Sequence, residues 1–258
     1  MALVTFLSDF GLSDHYVAVV KAGILAVNPA IQIIDISHLV PPSNTIHGSY
    51  VLGQAYGAFP EGTVHLAAVG SHQGAKPDHL AMKLDGHYFV GPDNGLFSLI
   101  SKSEPSSVVS LSSHLGGKGY GTFPARSLYA AAAAKLASGA ELLDLGKVTT
   151  SYKRNINSTS RASKKQIQGG VVHIDHYGNL ITNILKHDFD ALHEARGYKV
   201  VFGRERIRKL QVHYGFVEPG ECFAGFNDHG FLEIGINNGH AAELLGLYYD
   251  SPVSIIFE

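Results

Sequence analysis

Two aspartates, Asp9 and Asp14, follow the first apolar run of the chain, in the stretch Leu7-Ser8-Asp9-Phe10-Gly11-Leu12-Ser13-Asp14-His15-Tyr16. A carboxylate at the carboxyl end of a strand can accept two hydrogen bonds from a vicinal diol such as that of ribose, and α/β sheets bind ligands at that edge. The same residues have a plainer use, Asp9 closing a turn and Asp14 capping a helix. Spacing alone leaves both uses open. The elements that would hold them are legible on either side. Leu3 to Leu7 reads as a short buried strand, and the chain turns at Gly11. A helix then starts near Ser13 or Asp14, carries Val17, Val20, Ile24 and Leu25 at helical spacing, and stops at Asn28-Pro29.

The pattern continues as an alternation of strands and helices. Ile31 to Ile36 is a second buried strand, with Asp35 near its end and His38 just beyond. Asn44 is placed to cap a helix running to Ala58, and Thr63 to Val69 is a third strand. Short joints between such elements imply a parallel sheet with right-handed crossovers. A polar loop, Gly70 to Asp78, leaves the third strand at the same sheet edge as Asp9. Leu80 to Lys83 and Tyr88 to Val90 form a hairpin around Asp85-Gly86, and Pro92-Asp93-Asn94-Gly95 leads into an apolar helix, Leu96 to Ile100. Val108 to Leu111 is a further strand and Ala130 to Ala137 an alanine-rich helix.

From Thr149 to Lys165 the composition turns basic and polar, as in an exposed crossing. After Gln168 short strands dominate: Gly170 to Asp175, Tyr198 to Phe202, Arg206 to Val212, Cys222 to Phe226, Phe231 to Ile236 and Val253 to Phe257, with a helix at Ala241 to Leu247. The expected fold is an α/β amino-terminal domain with a mostly parallel sheet (residues 1–150), a linker (151–167), and a smaller all-β, barrel-like carboxyl-terminal domain (168–258).

Bulk properties remove several function classes. A net charge of -2 gives no sequence-wide basic field for nucleic acid. Cys222, the sole cysteine, excludes an internal disulfide and fits a reducing compartment. No apolar run approaches the roughly 20 residues of a membrane span, and no secretion signal opens the chain, so a cytoplasmic location is expected. His72, Asp78 and His79 match no common zinc spacing, so no metal is expected.

Four stretches in series resemble one family: Ser8-Asp9-Phe10-Gly11 with Asp14; Gly91-Pro92-Asp93-Asn94-Gly95; Ile174-Asp175-His176-Tyr177-Gly178-Asn179-Leu180-Ile181-Thr182-Asn183; and Asn227-Asp228-His229-Gly230-Phe231-Leu232-Glu233-Ile234. Together they are similar to the S-adenosylmethionine hydroxide adenosyltransferases, relatives of the fluorinating and chlorinating enzymes. The resemblance implies displacement of methionine from the ribose 5′ carbon of S-adenosylmethionine (SAM) by water or halide, with no metal or second cofactor. It also implies a homotrimer that holds SAM between neighbouring subunits. It places Asp9 on the ribose hydroxyls, Asp14 and Asp175 near the methionine amino group, Asn179 on the adenine edge, Tyr177 and Tyr214 on the faces of the base, Phe123 near the ribose, and the backbone of Asn238 beside adenine. Flat apolar faces and an amide that both donates and accepts suit a purine.

The departures are as informative. In the hydrolase branch an Asp, an Arg and a His orient the attacking water; the matching positions here are Gly70, Pro77 and Pro124. Substitutes lie close in sequence: His72 and Lys76 in the altered loop, and Arg126 in the Phe123-Pro124-Ala125-Arg126-Ser127 segment. Asp228 and His229 stand where the family carries small polar or basic residues for the methionine carboxylate, and a carboxylate there is repulsive unless His229 is protonated or Asp228 points away. Three functions follow as expectations: SAM cleavage to adenosine and methionine with a rearranged water site; a catalytically inactive protein that binds SAM or adenosine; or transfer to another nucleophile such as halide or phosphate.

Overall fold

The computed structural model describes residues 2–71, 78–112, 115, 121–155 and 159–258. His72, Lys76 and Pro77, together with most of the glycine-rich stretch near Tyr120, lie outside the described residues. The chain divides into two compact units, Met1–Ile156 and Asn157–Glu258.

The first unit is a mixed sheet of strands β1 (Leu3–Ser8), β2 (Gln32–Ser37), β3 (Val64–Ala68), β4 (His79–Leu84), β5 (His87–Pro92), β6 (Ser107–Leu111) and β7 (Gly146–Val148), in the order β2-β1-β3-β5-β4-β6-β7. β2, β1, β3 and β5 pair in parallel. β4 runs against both β5 and β6, and β7 against β6, so most strands share one direction. Residues alternate between two cores, as the strand period requires. Val4, Phe6, Val64, Leu66 and Ala68 face the helices α1 (Tyr16–Val27) and α3 (Ala130–Ala137). Leu7, Ala67, Val69 and Phe89 face α2 (Thr45–Ala55) and the turn of 3-10 helix at Leu96–Leu99.

Several expected elements shift for identifiable reasons. β2 is an edge strand, so its side chains are largely exposed where a buried strand was expected. α1 begins after His15, without a side-chain cap from Ser13 or Asp14, because the Gly11 amide donates to the His38 carbonyl and holds the preceding segment out of the helix. Asn44 does cap α2, its side chain accepting from the His47 amide, but the last turn before Phe59 is 3-10 and not α. The Leu96 segment is likewise 3-10. β7 closes the far edge of the sheet and was not foreseen.

The second unit is antiparallel and barrel-like. β8 (Arg161–Ala162), β9 (Gln166–Ile174), β10 (Leu180–Leu185), β11 (Tyr198–Phe202), β12 (Glu205–Ile207), β13 (Cys222–Phe226), β14 (Phe231–Ile236) and β15 (Pro252–Phe257) are ordered β12-β11-β15-β9-β10-β14-β13, with β8 beside β9. β9 is long enough to pair with β15 along its first half and β10 along its second. Helices α4 (Lys186–His193) and α5 (Ala241–Leu245) complete the unit. The strand expected over Arg206 to Val212 ends at Ile207, and β10 and α4 were not read from the sequence. Among the described residues no helix is long and apolar enough to cross a membrane.

Inside the first unit, His65 is fully buried, takes a 2.7 Å hydrogen bond between its Nδ1 and Thr5 Oγ1, and lies 3.2 Å through Nε2 from His87 Nδ1. Burial, reinforced by His87, pushes its pKa from an ordinary 6.5 to about 3. The unfolded chain therefore takes up a proton that the folded one refuses. This contribution to stability is complete above pH 6.5 and is lost as pH falls toward 3. Denaturant titrations between about pH 7.5 and about pH 5 are expected to show stability falling with acid, and His65→Gln, which keeps a polar partner for Thr5 but cannot protonate, to flatten that slope by up to about 1.4 kcal/mol per pH unit. An unchanged slope would mean that His65 protonates in the folded protein.

Candidate functional site

The chain leaves β1 for β2 on one side and returns as β3 on the other, so strand order reverses at β1. Open α/β sheets bind ligands in the crevice at such a reversal, beyond the strand carboxyl ends. A cleft of about 370 Å³ lies there. Asp9, Ser43, Gly70 and Ser71 supply its polar lining, and Phe10, Tyr16, Thr122 and Phe123 the remainder. The volume is in the range of small-molecule sites.

Asp9 organises the polar side. Its Oδ2 accepts the Ser43 amide at 2.8 Å and the Gly70 amide at 3.0 Å. One carboxylate oxygen thus ties the turn after β1 to the loop before α2 and the loop after β3. Both donors have positive φ, 60° at Ser43 and 63° at Gly70, which turns their N–H groups toward the carboxylate. Glycine adopts that conformation without steric cost, so Gly70 contributes its backbone amide. Among the described residues Asp9 Oδ1 has no hydrogen-bond partner and remains for a ligand.

The loop after β3 is fixed from behind by Asn94, in the Gly91-Pro92-Asp93-Asn94-Gly95 stretch. Asn94 Nδ2 donates to the Val69 carbonyl at 2.8 Å and the Gly70 carbonyl at 3.4 Å, while its Oδ1 accepts the Leu96 amide at 3.2 Å. The apolar side is a triangle of rings: Phe10 to Phe123 at 5.4 Å, Tyr16 to Phe123 at 5.2 Å, and Phe10 to Tyr16 at 6.0 Å between centroids. Phe123 is held by its carbonyl, which accepts from Arg126 and Ser127 at the start of a single π-helical turn, Ala125–Tyr129, leading into α3.

Beneath Asp9 runs a chain of polar groups. Ser8 Oγ is 2.7 Å from His38 Nδ1, His38 Nε2 is 3.2 Å from Asp35 Oδ1, and Lys21 Nζ is 2.5 Å from Asp35 Oδ2. The order Ser-His-Asp resembles a nucleophile with its base. Ser8 is completely buried, however, so the chain braces the ends of β1 and β2 and offers no nucleophile to a substrate. Burial lowers the His38 pKa against the opposing pull of Asp35, which favours the neutral ring the brace requires.

In the second unit a separate cluster forms where β9 turns into β10. Asp175 Oδ1 accepts the Tyr177 amide at 2.9 Å and the Asn179 amide at 2.8 Å, and its Oδ2 accepts Asn179 Nδ2 at 2.9 Å. Gly178, at φ 83°, permits this tight turn, and a Cβ there would strike the His240 ring. Asn179 is buried, and its Oδ1 and the Tyr214 hydroxyl both crowd the space above Gly235, which has no room for a side chain. Tyr214 donates to Glu233 Oε1 at 2.7 Å, and burial, then Glu233, push its pKa upward. One face of the Tyr214 ring is already stacked on Phe223, with centroids 4.1 Å apart. Tyr177, on the same turn, is 75% exposed.

The structure therefore gathers Asp9, Phe123 and Gly70 in the first unit, and Asp175, Asn179 and Tyr214 in the second. Asn238 lies exposed at φ 57° in the turn after β14, close in sequence to Gly235. Asp228 and His229 are exposed in a turn closed by Asn227 at the opposite end of β14, away from Asn179. Asp14 is exposed ahead of α1, and Arg126 is exposed on the π turn; neither lines the cleft. Pro124 is buried at the start of that turn. Sequence reasoning passed over Ser43, Thr122 and Asn94 as site elements, and Glu233, Gly235 and His240 around Asn179. Ser43 and Thr122 carry no signal of their own. Asn94 did, as part of a recognised motif. Among the described residues no group of three or more His, Cys, Asp or Glu side chains is placed to hold a metal.

The chain matches the SAM hydroxide adenosyltransferase N-terminal domain over residues 4–146 and the SAM hydroxide adenosyltransferase C-terminal domain over residues 169–254. It belongs to that family. Among its relatives, the (R)-S-adenosyl-L-methionine hydrolase of Thermus thermophilus is 34% identical over 99% of this chain and 100% of its own length. The enzyme of the same name from Methanocaldococcus jannaschii is 31% identical over 99% and 96%. A fluorinase from Nocardia brasiliensis is 24% identical over 91% and 90%. A solved structure from Thermotoga maritima is similar at a TM-score of 0.90, with 31% identity over 98% of this chain and 99% of that one. Fold class and family resemblance thus stand as the sequence implied.

Because Asn94 fixes the loop that carries Gly70 from a buried position, Asn94→Ala is expected to lower the unfolding free energy by about 1–3 kcal/mol in urea titrations. A cost near zero would show that the loop is held by other means.

Proposed function

We propose that this chain cleaves S-adenosylmethionine with water to adenosine and methionine. The observation that carries the reading is the Asp9 carboxylate, pinned through one oxygen by two backbone amides and open through the other, at the mouth of a nucleoside-sized cleft with aromatic walls. Two amides fix its direction without consuming the second oxygen, which is what recognition of a ribose diol requires. The full-length match to relatives named as (R)-S-adenosyl-L-methionine hydrolases supports the same reading.

The chemistry asks little of acids or bases. The sulfonium leaves as a neutral thioether, so alignment of water, the 5′ carbon and sulfur, and exclusion of bulk solvent, account for most of the task. Asp9 anchors the ribose, and Phe10, Tyr16 and Phe123 form the apolar surround. Asn179, oriented by Asp175, reads the adenine edge, with Tyr177 and the free face of Tyr214 against the base and the Asn238 backbone beside it. The family resemblance alone assigns Asp14, Asp228 and His229 to the methionine portion. The substrate is SAM, with no metal or second cofactor, and the working form is a cytoplasmic homotrimer.

The family resemblance leaves a second reading to be tested, that of a protein that binds the nucleoside without turnover. Gly70 and Pro124 occupy positions where the family resemblance places an Asp and a His that orient water. Incubation with SAM and chromatographic separation of products decides between the two. Adenosine is expected above the spontaneous background, with kcat/KM reduced about 100-fold in Asp9→Asn. Tight adenosine binding in calorimetry without product would establish the second reading, and absence of both would remove the nucleoside assignment altogether.

A further inference from the structure

His38 grips the chain on both sides of Asp9. Its backbone carbonyl accepts the Gly11 amide at 2.8 Å, and its ring Nδ1 lies 2.7 Å from Ser8 Oγ. Ser8 Oγ in turn accepts the Phe10 amide at 3.4 Å. The two amides that follow Asp9 therefore lead back to one histidine, Gly11 directly and Phe10 through the serine that precedes Asp9. The direction of each bond follows from the groups involved. A hydroxyl accepts and donates at once, so Ser8 accepts from Phe10 and gives its own proton to Nδ1. Nδ1 is then bare, and the ring proton sits on Nε2, which faces Asp35 Oδ1 at 3.2 Å. The other Asp35 oxygen is engaged by Lys21 at 2.5 Å. The His38 ring is 3% exposed and packs edge-on against Phe6, with centroids 4.7 Å apart, which holds its plane. None of Ser8, His38, Asp35 and Lys21 lines the cleft.

We propose, resting on the reading of Asp9 as the ribose anchor given above, that His38 is a positioning residue for ribose recognition: through Ser8 it sets the direction of the Asp9 carboxylate, and Asp35 and Lys21 keep its ring in the tautomer that does so. The Ser43 and Gly70 amides fix one carboxylate oxygen from neighbouring loops. They do not fix the backbone that carries the side chain, and that backbone is what His38 holds. The ribose hydroxyls must meet the remaining oxygen, and a hydrogen bond weakens steeply as its angle departs from linear. A tilt of the turn after β1 therefore costs the sugar contact even when the carboxylate stays charged and present. The serine keeps its proton throughout, so the series Ser-His-Asp supplies direction to a binding group and no nucleophile.

The test compares Ser8→Ala, His38→Leu and His38→Asn with the unaltered chain. Ser8→Ala removes the hydroxyl with little change of volume, His38→Leu removes the acceptor and keeps an apolar contact for Phe6, and His38→Asn returns an acceptor near the place of Nδ1. Every variant keeps the backbone bond from Gly11. Affinities for adenosine and for 2′,3′-dideoxyadenosine, which lacks both hydroxyls, are measured by calorimetry, with KM for SAM and melting temperature alongside. The ratio of the two affinities reports the diol contact alone and does not depend on turnover. The unaltered chain is expected to favour adenosine at least about tenfold, as hydrogen bonds to a carboxylate imply. Ser8→Ala and His38→Leu are expected to cut that ratio at least about threefold, raise KM for SAM by a similar factor and leave dideoxyadenosine affinity within about twofold, whereas His38→Asn keeps the ratio within about twofold. A brace that is only structural would lower the melting temperature and weaken both nucleosides equally; an unchanged ratio in Ser8→Ala and His38→Leu would overturn the proposal. So would a ratio lost in His38→Asn as fully as in His38→Leu. Where His38→Leu fails to fold, Ser8→Ala carries the comparison. An unaltered chain that binds neither nucleoside, or both equally, removes the ribose role of Asp9 and this inference with it, whereas a preference for adenosine that survives in the variants defeats this inference alone.

Discussion

One carboxylate oxygen holds three loops together. Asp9 Oδ2 receives amides from the segment before α2 and the segment after β3, and Asp9 itself follows directly on β1. Those segments approach each other only because the strand order reverses at β1. The interaction is charge-assisted on the acceptor side, which makes it stronger and more directional than a neutral backbone bond. It explains why two positive-φ residues sit at the edge of the cleft, and why the loop after β3 needs a second restraint from Asn94. Without the carboxylate, two N–H groups pointing into the same crevice would be left for water.

The rest of the first unit preserves that geometry. Both faces of the sheet are covered, so β1 and β3 are rigid where they end. The Ser8–His38–Asp35–Lys21 chain locks the ends of β1 and β2 from below. The ring triangle of Phe10, Tyr16 and Phe123 closes the apolar side, and its members come from the turn after β1, the start of α1 and the π turn before α3. The second unit solves the same problem differently. There a single aspartate, Asp175, folds its own turn and aims the Asn179 amide, and Gly178 and Gly235 leave space for His240 and for Tyr214 with Asn179.

How much of this was legible in the sequence depended on whether the signal was local. Strand alternation, the Asn44 cap and the hairpin at Asp85-Gly86 are written in neighbouring residues, and they stand where the pattern put them. The edge position of β2 was not legible, because exposure depends on which strand lies beside it and not on the apolar content of Ile33 and Ile34. β10 and α4 were hidden for a related reason: polar Thr182 and Asn183 interrupt the apolar run, and Lys186 to His193 carries too few apolar residues to advertise a helix. In the site, Asp9 and Asn179 were visible as side chains with chemistry at turns. Ser43 was not, since its contribution is a backbone amide. The brace through His38 joins residues brought together only by strand pairing.

The chemistry that remains is modest and matches the parts present. A sulfonium needs a held sugar and a dry surround, and a fixed carboxylate and three rings are the parts at hand. The most direct test of the central claim is a crystal structure of the protein grown with adenosine. The account predicts the ribose 2′ and 3′ hydroxyls within hydrogen-bond reach of the Asp9 carboxylate, through Oδ1, with the Ser43 and Gly70 amides still on Oδ2. A nucleoside bound away from Asp9, or an Asp9 released from both amides in the complex, would contradict it.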